Sequence, residues 1–216
     1  MTNQISINKI VKPLVEKLVE NTDQLNLGIL ATAGGGKIID AGINYHGCLE
    51  SGRIITEICM GGLGTVSLSM TNNVPNWPLS IHVHSSNPVL SCLASQYAGW
   101  NLSFVKDEDN FNALGSGPCR ALACKEDLFK DLNYSDKFFS TVVVMEVDRT
   151  PPQEIIDKIT SDCNISEKNL TIILTPTRSL SGCVQVVGRV LEVGMHKVHE
   201  LGFPLDKVVD GFGTAP

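Results

Sequence analysis

Five polar residues in the C-terminal quarter of the chain have types and spacing that could do chemistry. Gln185, Arg189, Glu192, His196 and His199 are separated by four, three, four and three positions, which at about 100° per residue places them on one narrow stripe of a helix. Val187, Leu191, Gly194 and Val198 fall on the opposite face, and Val186, Val193 and Met195 make the flanks mostly apolar. A largely buried helix with such a stripe describes the wall of a polar cleft. Burying an unpaired charge is expensive, so Arg189 and Glu192 should pair with each other, leaving a ligand or water to complete their hydrogen bonds. The plainer alternative is a structural ion pair, which residues three apart on a helix commonly form.

The elements that must position the stripe are legible upstream of it. Leu170–Leu174 is a β-branched apolar run suited to a buried strand, and Pro176 ends it by removing a ladder donor. Thr175-Pro176-Thr177-Arg178-Ser179-Leu180-Ser181-Gly182 then reads as a loop leading into the helix. Two further stretches are ligand candidates. The turn Gly115-Ser116-Gly117, followed by Pro118 and Arg120, opens a helix. Its freed amides, the Ser116 hydroxyl and the helix dipole would suit a carboxylate, a phosphate or a polar ring edge, and Arg120 adds a forked donor. A plain turn and helix start would look much the same. The other candidate, Ser95-Gln96-Tyr97, closes a helix that begins at Asn87-Pro88 and ends around Gly99; these three side chains are more elaborate than a cap requires.

Elsewhere the pattern is structural. Residues 5–20 place Ile7, Val11, Leu14 and Leu18 at helical spacing, with Ser6 or Asn8 as the start and Pro13 confined to the first turn or a kink. Stretches 27–33 and 37–41 flank Gly34-Gly35-Gly36, the pattern of a hairpin. Lys37 is not followed by the Ser or Thr of a phosphate loop. Residues 49–60 predict a helix with Ile54, Ile55 and Ile58 on its apolar face, stopped by Gly61-Gly62-Leu63-Gly64, and 65–70 and 78–84 predict strands. His82 and His84 share one side of a strand without a third ligand nearby, so they read as an exposed face. The apolar strand 139–147 ends in Glu146 and Asp148, and Pro151-Pro152 breaks the chain before a helix over 153–160. That break is the best internal boundary, giving an N-terminal α/β portion, 1–150, and the start of a second, 151–216. Residues 201–216 read as a loop-like end.

With 216 residues and 43% apolar content, the chain can bury a substantial core. A net charge of −6 and scattered histidines leave no basic patch to neutralise a phosphate backbone, which argues against a nucleic-acid partner. No apolar run approaches the length that spans a bilayer and the N-terminus lacks a signal-peptide layout; the expectation is a soluble cytoplasmic protein with no membrane partner. Seven cysteines without CxxC spacing read as buried thiols of a reducing compartment.

Taken together, these stretches resemble the methenyltetrahydromethanopterin cyclohydrolase family. The matching segments are Asp40-Ala41-Gly42, Glu57-Ile58-Cys59-Met60-Gly61-Gly62-Leu63-Gly64, Ala94-Ser95-Gln96-Tyr97-Ala98-Gly99-Trp100, Gly115-Ser116-Gly117-Pro118, Pro176-Thr177, Arg189 through Glu192, and Gly202-Phe203. They stand in family order and cover nearly the whole chain. The resemblance implies a mixed α/β enzyme in which two α/β portions face each other across a large cleft, assembled as a homo-oligomer, a trimer. It implies reversible hydrolysis of 5,10-methenyltetrahydromethanopterin to the N5-formyl form, with a reduced pterin one-carbon carrier as substrate and neither metal nor redox cofactor. In such proteins the helix arginine and glutamate carry the chemistry, here Arg189 and Glu192. Glu192 would orient a water and accept its proton, and Arg189 would hold Glu192 and steady the forming oxygen. Ser95, Gln96, Gly115, Ser116, Gly117, Arg120, Thr177, Ser179 and Ser181 would grip the pterin and its linker. Family members are longer, so the second portion is expected to be incomplete at the C-terminus. Two other readings are a pterin- or anion-binding module without turnover, and a metal-dependent amidohydrolase using His82, His84 and His196.

Overall fold

The most apolar runs of the chain become the inner strands of one sheet in a computed structural model that describes residues 4–106 and 109–216. The first half contains α1 (Ile7–Glu20), α2 (Thr22–Leu25), β1 (Gly28–Ala31), β2 (Lys37–Asp40), α3 (Leu49–Cys59), β3 (Thr65–Val74), β4 (Trp77–Ser85) and a π-helix, Val89–Gln96. There follow β5 (Trp100–Asn101), β6 (Phe104–Lys106), β7 (Asp109–Phe111), β8 (Leu114–Ser116), α4 (Cys119–Ala123), α5 (Leu128–Leu132) and β9 (Thr141–Met145). The last third holds α6 (Gln153–Cys163), β10 (Leu170–Leu174), α7 (Leu180–Val187), α8 (Val190–Glu200) and β11 (Gly211–Ala215).

The main sheet runs β1-β2-β10-β9-β8-β5. Its centre, β2, β10 and β9, is parallel, with Ile172 beside both Ile38 and Val143; β1, β8 and β5 join antiparallel. Every residue of β9 and β10 is buried, as expected of strands covered on both faces. Alternate side chains feed two cores. Ile38, Val143, Ile172 and Leu174 pack with Ile155, Ile156 and Ile159 of α6. On the other face Ile39, Val142, Val144 and Ile173 meet Ile54, Ile55 and Ile58 of α3 and Val11 and Leu18 of α1. The fold is a mixed α/β architecture. Among the described residues, no helix is long and apolar enough to cross a membrane.

Pro151-Pro152 does not divide this sheet. The chain beyond it returns as β10 and pairs with both β2 and β9, so residues 151–216 complete the sheet begun by 1–150. The C-terminal stretch is also not a loop: β11 pairs antiparallel with β4 in the sheet β11-β4-β3. Its glycines hid the strand and explain its position, since a Cβ at Gly211 would lie 2.9 Å from Leu191 Cδ1 and one at Gly213 3.0 Å from Val190 Cγ1. Bare backbone lets β11 close against α8. Pro13 lies in the second turn of α1 rather than the first, on an exposed side where the freed Lys9 carbonyl can bond water. Among the cysteines, Cys59, Cys92, Cys119 and Cys163 are buried free thiols, whereas Cys183 is exposed.

Asp40, at the carboxyl end of β2, organises the turn that follows. Its buried carboxylate accepts from the amides of Gly42 (3.1 Å), Ile43 (2.7 Å) and Asn44 (2.9 Å) and from Asn44 Nδ2 (3.1 Å). Burial pushes its pKa up, but these donors outweigh burial and hold it below the usual carboxylate range. A lowered folded pKa gives stability that is fully present above the unfolded value and is lost as pH falls through the folded one. Asp40→Asn is therefore expected to cost about 1–3 kcal/mol near neutral pH. The gap from wild type should narrow below about pH 4, as read by urea unfolding at several pH values.

Candidate active site

The expected single helix from 183 to 199 is two helices with a break at Gly188 and Arg189. The loop after β10 starts it: Ser179 Oγ donates to the Pro176 carbonyl (2.8 Å) and accepts from the Gly182 amide (3.0 Å), capping α7. α7 ends where Gly188 reaches α3, at a separation that would put an added Cβ 2.5 Å from Thr56 Cγ2. In an unbroken helix the Gly188 carbonyl would accept from the Glu192 amide. Instead it accepts from Gln96 Nε2 at 3.1 Å, a buried bond arriving from the side. Arg189 occupies the N-cap position of α8 with φ −86° and ψ 3°.

The break sets the geometry of the charged pair. Arg189 Nη2 donates to Glu192 Oε2 at 2.6 Å, with the glutamate side chain only 3% exposed and the arginine 17%. Arg189 faces a cavity of about 560 Å³ lined also by Gln185, Ala98, Asn101, Ser116 and Glu146, while Glu192 lies behind it. Among the described residues the Arg189 guanidinium has no hydrogen bond besides the one to Glu192. Its remaining donors are available to the cavity.

The π-helix holds Ser95 and Gln96 fully buried, Gln96 against the helix break and Ser95 against Gly61, and neither lines the cavity. Its wide turn is closed by the Tyr97 amide donating to the Cys92 carbonyl, five residues back, at 2.7 Å. Ser95 Oγ, Gln96 Oε1, Gln185 Oε1 and Trp100 Nε1 are buried polar atoms without a partner among the described residues. Each such orphan costs about 1–3 kcal/mol; of the four residues Gln185 lines the cavity, where ligand or water can complete its bonding.

The Gly-Ser-Gly turn and Arg120 support this segment from below. Ser116 Oγ donates to the Gln96 carbonyl (2.7 Å) and the Gly117 amide to the Ser95 carbonyl (2.9 Å), while Gly115 pairs with Trp100 in the sheet. Arg120 is wholly buried and gives its donors to Glu126 Oε1 (2.8 Å) and Oε2 (2.5 Å), the Leu93 carbonyl (2.8 Å) and the Ser95 carbonyl (3.1 Å). The anion-binding capacity that these residues suggest is thus used within the protein, and Arg120 does not line the cavity. Ser181 Oγ, also buried, bonds Ser51 Oγ at 2.7 Å. Thr177 lines a neighbouring cavity of about 460 Å³ with Arg149 and Arg178.

Glu146 is the feature that sequence reasoning passed over. It stands just beyond the carboxyl end of β9 and lines both cavities. Burial pushes its pKa up, an effect that the Arg189 charge partly offsets. The signal was its position, since ligands of parallel sheets collect at the carboxyl ends of the strands. The three histidines do not converge: His82 meets Ser69, His84 pairs with Asp210 at 2.8 Å, and His196 stacks on Tyr97. Among the described residues, no three His, Cys, Asp or Glu side chains are grouped to hold a metal.

Because Arg120 is buried with Glu126 as its carboxylate, Glu126→Ala should lower stability by about 3–5 kcal/mol by stranding the guanidinium. Adding Arg120→Met should recover part of that loss in urea unfolding. A surface pair would show neither effect.

The family model described as Cyclohydrolase (MCH) matches residues 6–216. Proteins named methenyltetrahydromethanopterin cyclohydrolase from Methylobacillus flagellatus and Methylobacterium organophilum are 54% and 46% identical over 98% of this chain. One of the same name from Methanosarcina mazei is 35% identical, again over 98%. The chain spans 63–65% of the length of these relatives. With the match running through the Arg189/Glu192 break and nearly every element that frames it, the chain belongs to the MCH cyclohydrolase family.

Proposed function

We propose that this chain carries the water-activating part of a methenyltetrahydromethanopterin cyclohydrolase, which interconverts the 5,10-methenyl and N5-formyl forms of a reduced pterin carrier. The observation behind this reading is the Arg189–Glu192 pair, 2.6 Å apart, with Arg189 at the wall of a cavity that the unpartnered Gln185 Oε1 also borders. The large cleft between two α/β portions, homotrimeric assembly, and a cytoplasmic role in one-carbon metabolism belong to the same reading.

The chemistry asks little of the protein beyond placement. The methenyl carbon lies between two nitrogens that share a positive charge, so it is electrophilic without a Lewis acid. Water attacks that carbon, the π electrons return to nitrogen, and the Glu192 carboxylate takes the water proton. Donors of Arg189 not held by Glu192 steady the new hydroxyl oxygen. The tetrahedral adduct then collapses: the hydroxyl loses its proton to solvent, the C=O bond forms, the bond to N10 breaks and N10 receives the proton from Glu192. Each turnover consumes one water and releases one proton. Holding the water against the carbon contributes through proximity, for which the Gly188 break and the Gln96 bond provide the scaffold.

Turnover is followed by loss of the methenyl absorption, after circular dichroism shows each variant folded. Glu192→Gln is expected to lower kcat by about 10²–10⁴, and Arg189→Ala by about 10²–10³, with no effect of chelator on wild type. Wild-type rates in Glu192→Gln would remove the general base from this scheme. A folded chain that binds the pterin without turnover would make it a binding module.

A further inference from the structure

We propose that Glu146 is the charge-selecting residue of the cavity, favouring the cationic methenyl carrier over the neutral formyl one. The inference rests on the cyclohydrolase reading for its ligands and on cavity geometry for the residue. Glu146 forms the ridge between the two cavities, facing Arg189 and Gln185 on one side and Asp148, Arg149 and Arg178 on the other. Arg189 is already matched by Glu192 at 2.6 Å. Among the described residues Glu146 has no hydrogen bond or ion pair of its own. With Arg189 matched by Glu192, Glu146 is the carboxylate that the first cavity offers to a ligand with one positive charge, while Arg149 and Arg178 stand across the second cavity with Asp148. The methenyl form has that charge, shared by N5 and N10; hydrolysis removes it. A carboxylate in this position attracts the substrate and loosens its hold once the charge is gone.

The burial that raises the Glu146 pKa fits this role, because an entering cation relieves it. Protonation removes the preference, so selectivity should fade as pH falls through a value above the ordinary carboxylate range. Arg189 and Glu192 across one cavity, and Asp148, Arg149 and Arg178 across the other, set where that midpoint lies.

The test measures KM in both directions for wild type, Glu146→Gln and Glu146→Asp. Glu146→Gln should raise KM for the methenyl form about tenfold, about 1.4 kcal/mol, while KM for the formyl form stays within about twofold. kcat/KM must fall by one common factor in both directions, since the equilibrium constant is fixed. Glu146→Asp should keep most of the preference, and Glu146→Gln should abolish its fading in acid. Equal rises in both KM values would overturn charge selection and mark a shape contact; an unchanged methenyl KM would overturn it as well. These outcomes are separate from the catalytic reading, which fails through the Arg189 and Glu192 variants or through wild type that binds without turnover. Should wild type not turn over, direct titration of each form into wild type and Glu146→Gln decides the question, and binding of neither form overturns it.

Discussion

A carbonyl diverted from its own helix holds the candidate site together. The Gly188 oxygen is bonded by Gln96 from the π-helix where α7 ends, and the chain restarts as α8. The restart turns Arg189 towards the cavity and leaves Glu192 one turn deeper, in contact with it but shielded from bulk water. An uninterrupted helix would carry both residues on the same stripe. Both residues open α8, Arg189 facing the cavity and Glu192 nearly enclosed, in a low-dielectric surrounding where its charge acts more strongly.

Gln96 can bond Gly188 only because its own backbone is fixed. Ser116 and Gly117 grip the last carbonyls of the π-helix, and Arg120 grips Leu93 and Ser95 from beneath while anchored by Glu126. Support therefore runs from the β8 turn and α4, through the π-helix, to the α7–α8 junction. The parallel strands β9 and β10 bring Glu146 and the Thr177 loop to the same edge of the sheet, opposite that junction. Sheet and helix break thus meet at one pair of cavities.

Much of this frame was readable before any coordinates. Continuous β-branched runs gave β9 and β10, the 3.6-residue pattern gave α1 and α3, and the Gly-rich turn gave the β1–β2 hairpin. The features that escaped share a cause: they depend on a partner distant in sequence. Periodicity cannot reveal that a glutamine 92 positions away will bond the Gly188 carbonyl. Gly188 contributes, but glycine inside a helix costs only about 1 kcal/mol against alanine, too little to predict a break. β11 was hidden because its glycines look like loop and gain their meaning only from Val190 and Leu191 beside them. Pro151-Pro152 gave the look of a boundary, while non-local pairing placed the next strand in the middle of the existing sheet.

Two buried arginine–glutamate pairs separate by how their donors are committed. Arg120 is wholly buried and its forks end on Glu126 and two carbonyls, so a ligand could reach it only by breaking bonds already made. Removing its carboxylate leaves a stranded charge, which makes the pair a structural constraint. Arg189 has one bond, to Glu192, and a face turned to the cavity that the unpartnered Gln185 also lines. Its pairing is incomplete in a way that only something in the cavity can finish. The same test of unfinished bonding picks out Glu146, whose charge no described neighbour neutralises through a direct contact. Incomplete compensation distinguishes groups poised for a ligand from groups that hold the fold.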